Sequence, residues 1–250
     1  MEYKFLNIFD VNKPVMGMLH LKGENEKSVL EKAYKEAEIM TEHGVNAVIV
    51  ENYFGKYEYV EIVLKDFYLN HVPFIYGVNL LGDDENNFRL AEKYCASFLQ
   101  LDSVAGHLKP EDDEKFEQKI LSWRQNYERA VIGGVRFKYQ PYLSGRSLEE
   151  DLRIGSQRCD AIAVTGEGTG LPTEVAKLRQ FRNIVGDFPL VVAAGVTPES
   201  CKAQLEIADA AIIGSYFKDT YKDTGDVCGR HVSEMMNAVI KCRGGREHGS

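Results

Sequence analysis

Three side chains that can transfer protons near neutral pH follow short apolar runs in the sequence: His20, Glu51 and Asp102. Glu51 directly follows the run 47–50, AVIV, and burial beside such a run raises a carboxyl pKa towards the value that a general base needs. Asp102 is its natural partner, because two carboxylates in different surroundings divide the acid and base roles. His20 lies near the end of the run 15–21, and an imidazole shuttles protons near neutral pH. These three are the candidate catalytic residues.

Each of the three also has an interpretation without chemistry. Glu51 would cap a neighbouring loop by accepting backbone N–H bonds, and Asp102, which precedes Ser103, would form an Asx turn. His20 would be a hydrogen-bonded structural residue. The histidine spacing contains neither HxH nor HExxH, so the sequence predicts no metal site. No cofactor is predicted, and a divalent cation bridging Glu51, Asp102 and a ligand phosphate is an alternative without support.

Polar residues that follow the other apolar runs are candidate substrate-binding residues. Arg136 suits a clamp for a carboxylate or phosphate. Lys138 or Lys109, if desolvated, would form a Schiff base in an aldolase-like reaction, and a plain surface lysine is the alternative for both. The candidate substrate-binding residues are Asn52, Asn79, Arg136, Lys138 and Thr165.

Two late apolar runs, 190–192 and 210–213, lead into glycines, which predicts an anion site. Glycine lets backbone N–H groups approach an anion, and Thr197 followed by Pro198 predicts a helix start that favours negative charge. The loop 165–170, TGEGTG, would add amides or close as a lid. Simple tight turns and a mobile connection are the alternatives. The predicted phosphate-binding residues are Gly166, Gly168, Gly195, Val196, Gly214 and Ser215.

The composition is that of an ordinary globular protein, with 44% hydrophobic and 27% charged residues among 250. The net charge of −8 argues against a nucleic-acid partner. No apolar run reaches about 18 residues, so no transmembrane segment is predicted, and the first residues lack the apolar core of a signal peptide. The five cysteines are scattered without a CxxC, which predicts reduced thiols and a cytoplasmic protein.

Helical patterns alternate with short apolar runs along the chain, which predicts an α/β protein with a parallel sheet. Eight such units predict a single (β/α)8 TIM barrel over residues 1–242, with phosphate-binding-type closing loops and the active site at the carboxyl ends of the strands. Residues 243–250 are predicted to be a flexible tail. The predicted strands are 15–21, 47–50, 74–79, 98–101, 130–137, 161–164, 190–192 and 210–213; the predicted helices are 28–42, 57–69, 86–94, 111–126, 147–158, 173–185, 198–207 and 230–242.

Five stretches in order resemble the BtpA/SgcQ family of predicted TIM-barrel proteins: GMLHL (17–21), VNAVIVENYFG (45–55), VTGEGTG (164–170), AAGVTPES (193–200) and ADAAIIGSYFK (208–218). The resemblance implies a barrel and does not settle a reaction. One family member is a photosystem I biogenesis factor, and others lie in carbohydrate-metabolism contexts as predicted enzymes. The chain departs from the family at 22–25, KGEN, where a proline-rich PLPGSP-like loop is usual.

Two functional hypotheses follow. The first is an enzyme of the isomerase, epimerase or lyase type that acts by acid/base chemistry on a small phosphorylated sugar or nucleotide-like metabolite. The second is a non-catalytic assembly or biogenesis factor that keeps the ligand pocket. Barrels also associate as homo-oligomers through their outer helices, although no residue of the sequence marks an interface.

Overall fold

The computed structural model describes residues 4–125 and 127–244, and within them eight parallel strands close into one barrel in chain order. Every strand pairs with the next one along the chain, and the first strand pairs with the last to complete the ring. The predicted (β/α)8 architecture is therefore confirmed. The strands are β1 (Val15–His20), β2 (Ala47–Glu51), β3 (Ile75–Asn79), β4 (Phe98–Ala105), β5 (Ala130–Val135), β6 (Ala161–Val164), β7 (Leu190–Val192) and β8 (Ala210–Ile213).

A helix follows each strand and covers the outside of the barrel. The helices are α1 (Glu26–Glu42), α2 (Tyr57–Leu69), α3 (Asp84–Lys93), α4 (Pro110–Arg124), α5 (Leu148–Arg158), α6 (Val175–Val185), α7 (Pro198–Leu205) and α8 (Gly229–Cys242). Two 3-10 turns, Leu6–Ile8 and Ser215–Phe217, were not predicted. None of the helices in the described ranges is long and apolar enough to cross a bilayer.

The predicted helix start at Thr197 is confirmed in its details. The Thr197 side chain accepts a hydrogen bond from the Ser200 amide, and the Ser200 hydroxyl oxygen accepts one from the Thr197 amide. Pro198 takes the first helical position. Ser147 caps α5 in the same reciprocal way. Such caps satisfy amides that have no partner within the helix, and each contributes about 1 kcal/mol.

The core has two layers. Alternate residues of the strands pack with the helices, while the others fill the barrel interior. At the amino-terminal end of the barrel, the rings of Phe5 and Phe9 pack against Phe98 of β4, with ring centroids 6.5 and 6.4 Å from it. The segment before β1 therefore closes the bottom of the barrel.

The predicted boundaries of β4 and β5 were wrong. β4 does not stop at residue 101 but continues to Ala105, which pairs with Val135 after a register shift. Asp102 therefore lies within a strand, and the Asx-turn interpretation is wrong. β5 ends at Val135 because Arg136 adopts a left-handed conformation with φ +48°, which an extended strand cannot continue.

Only the beginning of the predicted tail is described. The Arg243 guanidinium donates hydrogen bonds to the Lys13 carbonyl and to Asn46 Oδ1, so the chain is tied to the barrel at this point. Residues 245–250 lie outside the described residues.

Candidate active site

The barrel register brings three predicted residues to one level of its mouth. His20 pairs with Glu51 across β1 and β2, and Glu51 pairs with Asn79 across β2 and β3. Their side chains point inward because alternation along a strand places them on the same face as Met18 and Ile49, which belong to the interior cluster. All three side chains are at least nine-tenths buried.

Asn79 joins the two carboxylates. Its Nδ2 donates to Glu51 Oε1 at 2.8 Å and to Asp102 Oδ1 at 3.2 Å. His20 Nε2 lies 3.4 Å from the other Glu51 oxygen, Oε2. The predicted pairing of Glu51 with Asp102 is thus an arrangement in which one amide stands between two carboxyl groups.

Burial changes the protonation of this cluster. It raises the pKa of Glu51 to about 8, with repulsion from Asp102 adding to the effect and Lys138 and Asn79 opposing it. Burial lowers the pKa of His20 to about 3, helped by the Lys218 cation. The pKa of Asp102 is also raised, chiefly by burial. At neutral pH, Glu51 therefore carries a proton and His20 is neutral.

The loop between β8 and α8 selects the tautomer of His20. His20 Nδ1 lies 3.5 Å from the Asp223 carbonyl oxygen, which can only accept, so Nδ1 carries the hydrogen and Nε2 is free to accept. Lys22, where the chain departs from the PLPGSP-like pattern, donates to the carbonyls of Thr224 and Gly225 and so fixes this loop. The first and last loops are therefore held together over the imidazole.

Two contributors to the site were missed in the sequence. Gln100 lies on the inner face of β4 and its Nε2 donates to Asp102 Oδ1 at 3.4 Å. Residues two apart on a strand point to the same face, so its position two residues before Asp102 could have indicated that it faces the site. Tyr53 stacks its ring on His20, with centroids 4.7 Å apart. Tyr53 lies in a loop, where no periodicity indicates which way a side chain points.

These side chains line a cavity at the mouth, called here the acid/base cavity, with a volume of about 790 Å³ including open solvent. Opposite the carboxyl groups, Lys138 Nζ donates to Thr169 Oγ1 at 3.1 Å, and the Thr169 amide donates to the Tyr139 hydroxyl at 2.8 Å. The two carboxyl groups and the Lys138 amine therefore line the same cavity.

A second cavity, the glycine cavity, opens between the ends of β7 and β8 and has a volume of about 630 Å³ including open solvent. Val196 and Thr197 line it, together with Tyr216 and Tyr221. The two cavities share one wall, formed by Gly170, Gly195, Gly214 and Ser215. Four of the six predicted phosphate-binding residues, Gly195, Val196, Gly214 and Ser215, therefore meet around one space.

Close packing accounts for two of the glycines. A Cβ on Gly195 would lie 2.3 Å from Pro172 Cα, and the residue has φ +59°, so only glycine fits. A Cβ on Gly166 would lie 2.7 Å from the Pro172 carbonyl oxygen. Gly166 and Gly168 belong to neither lining, and the β6–α6 loop reaches the shared wall through Gly170 instead.

Three predicted substrate-binding residues brace loops around the mouth. Asn52 Oδ1 accepts from the Leu81 amide at 2.8 Å. Thr165 Oγ1 accepts from the Lys138 amide at 2.8 Å, which sets the direction of that lysine. Arg136 turns away from the cavities and donates to Asp151 Oδ2 at 3.0 Å and to the Arg146 carbonyl at 2.8 Å.

Within residues 4–125 and 127–244, no group of three or more His, Cys, Asp or Glu side chains is arranged to hold a metal ion. The Asn79 amide donates to both carboxylates that the alternative of a bridging cation would use. None of the five cysteines forms a disulfide in the described part of the chain, and Cys201 Sγ lies 3.4 Å from Cys242 Sγ.

Similarity to solved structures at low sequence identity shows that this chain shares their fold, and it shows no more than the fold. The chain is similar to thiamine phosphate pyrophosphorylase from Pyrococcus furiosus, with a TM-score of 0.58 and 15% identity, covering 92% of this chain and 96% of the other. It is also similar to phosphoribosyl anthranilate isomerase from Thermus thermophilus, with a TM-score of 0.59 and 15% identity, covering 91% and 98%.

Similarity in sequence identifies the family. The photosystem I biogenesis protein BtpA of Synechocystis is 24% identical, over 84% of this chain and 82% of that protein. The sgc region protein SgcQ of Escherichia coli is 24% identical, over 86% of each chain. The BtpA family model matches residues 11–241, nearly the whole barrel. The chain belongs to the BtpA family.

Proposed function

We propose that the chain is an enzyme that moves a proton on a small phosphorylated metabolite, in an isomerase, epimerase or lyase reaction. The observation that carries this proposal is the buried Glu51, joined through Asn79 to Asp102, in a cavity that shares a glycine wall with a second cavity. A carboxyl group with a pKa of about 8 is suited to acid/base work near neutral pH.

The two carboxyl groups have complementary roles. Asp102 takes a proton from a carbon beside a carbonyl group, and Glu51 gives its proton to the carbonyl oxygen, so that an enediol forms. Return of a proton to the neighbouring carbon gives isomerisation, and return to the opposite face of the same carbon gives epimerisation. Lys138 stabilises negative charge that develops on the ligand oxygen.

The phosphate would lie in the glycine cavity, against the amides of Gly195, Val196, Gly214 and Ser215. Glycine allows close approach of backbone N–H groups, and α7 begins at this cavity with the positive end of its dipole. The ligand then reaches over the shared wall, so its reacting carbons enter the acid/base cavity. The names of the two structural neighbours, both of which include a phosphorylated compound, agree with this direction.

Binding experiments with a charge variant test the proposal. A panel of sugar phosphates, nucleotides and their unphosphorylated counterparts is screened by thermal shift, where a ligand at about 100 times its Kd stabilises the fold by roughly 2.7 kcal/mol. Ser215→Asp places a negative charge on the wall, and Ser215→Asn is its neutral control of equal size. We expect only phosphorylated compounds to stabilise the wild type and Ser215→Asn, and none to stabilise Ser215→Asp. Equal stabilisation by phosphorylated and unphosphorylated compounds, or stabilisation of Ser215→Asp by a phosphorylated compound, would refute the phosphate site.

Lys138 allows a test of the reaction type. Trapping with borohydride in the presence of a carbonyl-bearing ligand reduces a Schiff base to a stable amine, and Lys138→Met removes the amine. A mass increase that disappears in Lys138→Met would assign an aldolase-like lyase. Turnover without a trapped adduct would assign proton transfer by the carboxyl groups alone.

The second candidate function is assembly of another protein complex without catalysis. One observation favours it: the Synechocystis relative is named a photosystem I biogenesis protein. Complementation of a deletion strain distinguishes the two candidates, because the chemical role of Glu51 is needed only for catalysis. If Glu51→Gln restores function fully, the assembly function stands and the enzyme is refuted.

A further inference from the structure

Gln100 has a place in the acid/base cavity that no role described so far uses. It lies on the inner face of β4, two residues after Phe98 of the barrel interior and two before Asp102. Its side chain is 4% exposed and lines the cavity. A polar side chain buried so deeply needs partners for both ends of its amide.

Only one end of the Gln100 amide has a partner. Nε2 donates to Asp102 Oδ1 at 3.4 Å, whereas Oε1 is buried and accepts no hydrogen bond within the described part of the chain. The orientation follows from the neighbour, because the reversed amide would place its oxygen against the Asp102 carboxylate. A buried acceptor left without a donor is destabilising, and a donor group on a ligand in the cavity that Gln100 lines would satisfy it.

The nearby protein donors are committed elsewhere. Asn79 Nδ2 donates to Glu51 and Asp102, and Lys138 Nζ donates to Thr169. Glu51 Oε2 lies 3.4 Å from His20 Nε2. Gln100 Oε1 and Asp102 are therefore adjacent acceptors in the wall, and Lys138 is a donor in the same cavity. Hydroxyl groups both donate and accept, so a chain of neighbouring hydroxyls satisfies such a surface better than a bare carbonyl or a methyl group.

We infer that Gln100 is a specificity-determining residue whose Oε1 accepts a hydrogen bond from a ligand hydroxyl on the carbon next to the reacting one. The group that enters the acid/base cavity is then a polyhydroxylated sugar, not a nucleobase or a keto acid. The inference rests on the proposed function, since it assumes that Asp102 works on the neighbouring carbon. It narrows the ligand class from phosphorylated metabolites to sugar phosphates.

The test compares affinities for hydroxylated and deoxy ligands by calorimetry. The probe pairs are ribose 5-phosphate with 2-deoxyribose 5-phosphate, and glucose 6-phosphate with its 2-deoxy and 3-deoxy analogues. Gln100→Met has nearly the same length and volume and removes the acceptor. We expect the wild type to prefer at least one hydroxylated ligand by about tenfold or more, and Gln100→Met to reduce that preference to near one.

The ligand preference separates recognition from a structural role. Gln100→Met removes the unpaired Oε1 acceptor and also the Nε2 donor to Asp102, so their effects on the midpoint of thermal unfolding oppose each other, and the midpoint serves to show that the variant is folded. A merely structural role would not change the preference between hydroxylated and deoxy ligands, so a preference that persists in folded Gln100→Met, or a wild type without any preference, would overturn the inference while phosphate binding stands. If neither protein binds any phosphorylated probe, the proposed function fails, and the inference fails with it.

Discussion

His20 on β1 and Glu51 on β2 are paired in the barrel register, and His20 Nε2 lies 3.4 Å from Glu51 Oε2. Their pKa values shift in opposite directions, that of Glu51 up to about 8 and that of His20 down to about 3, and burial is the main cause of both. At neutral pH the pair is therefore neutral and holds its shared proton on the carboxyl group. The contact therefore joins an uncharged carboxyl group and an uncharged imidazole, and is not an ion pair.

This proton gives stability a defined pH dependence. The folded chain keeps the Glu51 proton up to about pH 8, whereas the unfolded chain releases it near its ordinary pKa of 4.5. The stability contributed by the neutral carboxyl group is therefore full below pH 4.5 and is lost as the pH rises through 8. Glu51→Gln removes this loss, so we expect it to gain about 2–5 kcal/mol relative to the wild type between pH 5 and pH 9.

Urea unfolding of both proteins at pH 5, 7 and 9 measures the difference in the free energy of unfolding. Glu58→Gln, an exposed change on α2, is the control and should show no comparable trend. A constant difference between Glu51→Gln and the wild type would mean that Glu51 is ionised at neutral pH.

Activity should fall sharply in the same variant. Glutamine keeps the shape of Glu51 and can still accept from Asn79, but it cannot give or take a proton. Once a substrate is identified by the binding panel, we expect kcat to fall by about 10²–10⁴-fold in Glu51→Gln with little change in ligand affinity. The Glu58→Gln control should keep full activity. A loss of less than tenfold would remove Glu51 from the chemistry.

Asn79 should control the pH range of activity. Its amide donates to the ionised form of Glu51 and so lowers the pKa of that carboxyl group. Asn79→Leu removes the donor from both carboxylates, so we expect the pH-rate limb due to Glu51 to move to higher pH and stability to fall by about 1–3 kcal/mol. An unchanged pH profile in a folded Asn79→Leu protein would show that another group governs this limb.

Gly195 should tolerate no side chain. Alanine there would place Cβ 2.3 Å from Pro172 Cα, at a residue with φ +59°. Gly145 has a similar φ of +67° and open space around its Cβ position, so Gly145→Ala measures the backbone strain alone. We expect Gly145→Ala to lower the free energy of unfolding by about 1 kcal/mol, and Gly195→Ala by about 2–4 kcal/mol, because overpacking adds to the strain. Equal effects would refute the packing argument.

Arg136 and Lys138 should separate stability from binding. Arg136 forms an ion pair with the buried Asp151, which Arg146 and Ser144 also contact. We expect Arg136→Met to lower stability by about 2 kcal/mol and to leave phosphate affinity unchanged. Lys138→Met should instead weaken ligand binding with little effect on stability. Loss of binding in a stable Arg136→Met protein would restore Arg136 as a substrate clamp.

Much of the fold follows from local patterns. The bounds of α2, β6, β7 and β8 agree with the prediction, because their apolar runs are bordered by residues that end or start an element. The extension of β4 could not be predicted, since residues 102–105, DSVA, have no distinctive pattern and pair with β5 only through a register shift. The position of Asp102 in the site therefore depends on the pairing of β4 with β5.

The facing of side chains was harder to predict than the strands. Continuous alternation along 130–137 treats Arg136 as a regular strand residue, but its left-handed backbone breaks the alternation and sends its side chain towards Asp151. A single φ of this sign is not visible in the sequence when the residue is not glycine. Loop residues such as Tyr53 and Thr169 reach the site through contacts between loops that are far apart in sequence. The local spacing of residues does not indicate such contacts.

The aromatic closure at the bottom of the barrel has a kinetic consequence. Phe5, Phe9 and Phe98 fill the end opposite the mouth, so within the described residues a ligand of the acid/base cavity would enter and leave on the same side. A substrate and its product would then use the same opening and could not occupy it at the same time. For a reaction with a single substrate, the product is expected to inhibit competitively, and accumulated product should slow turnover without lowering the maximal rate at saturating substrate.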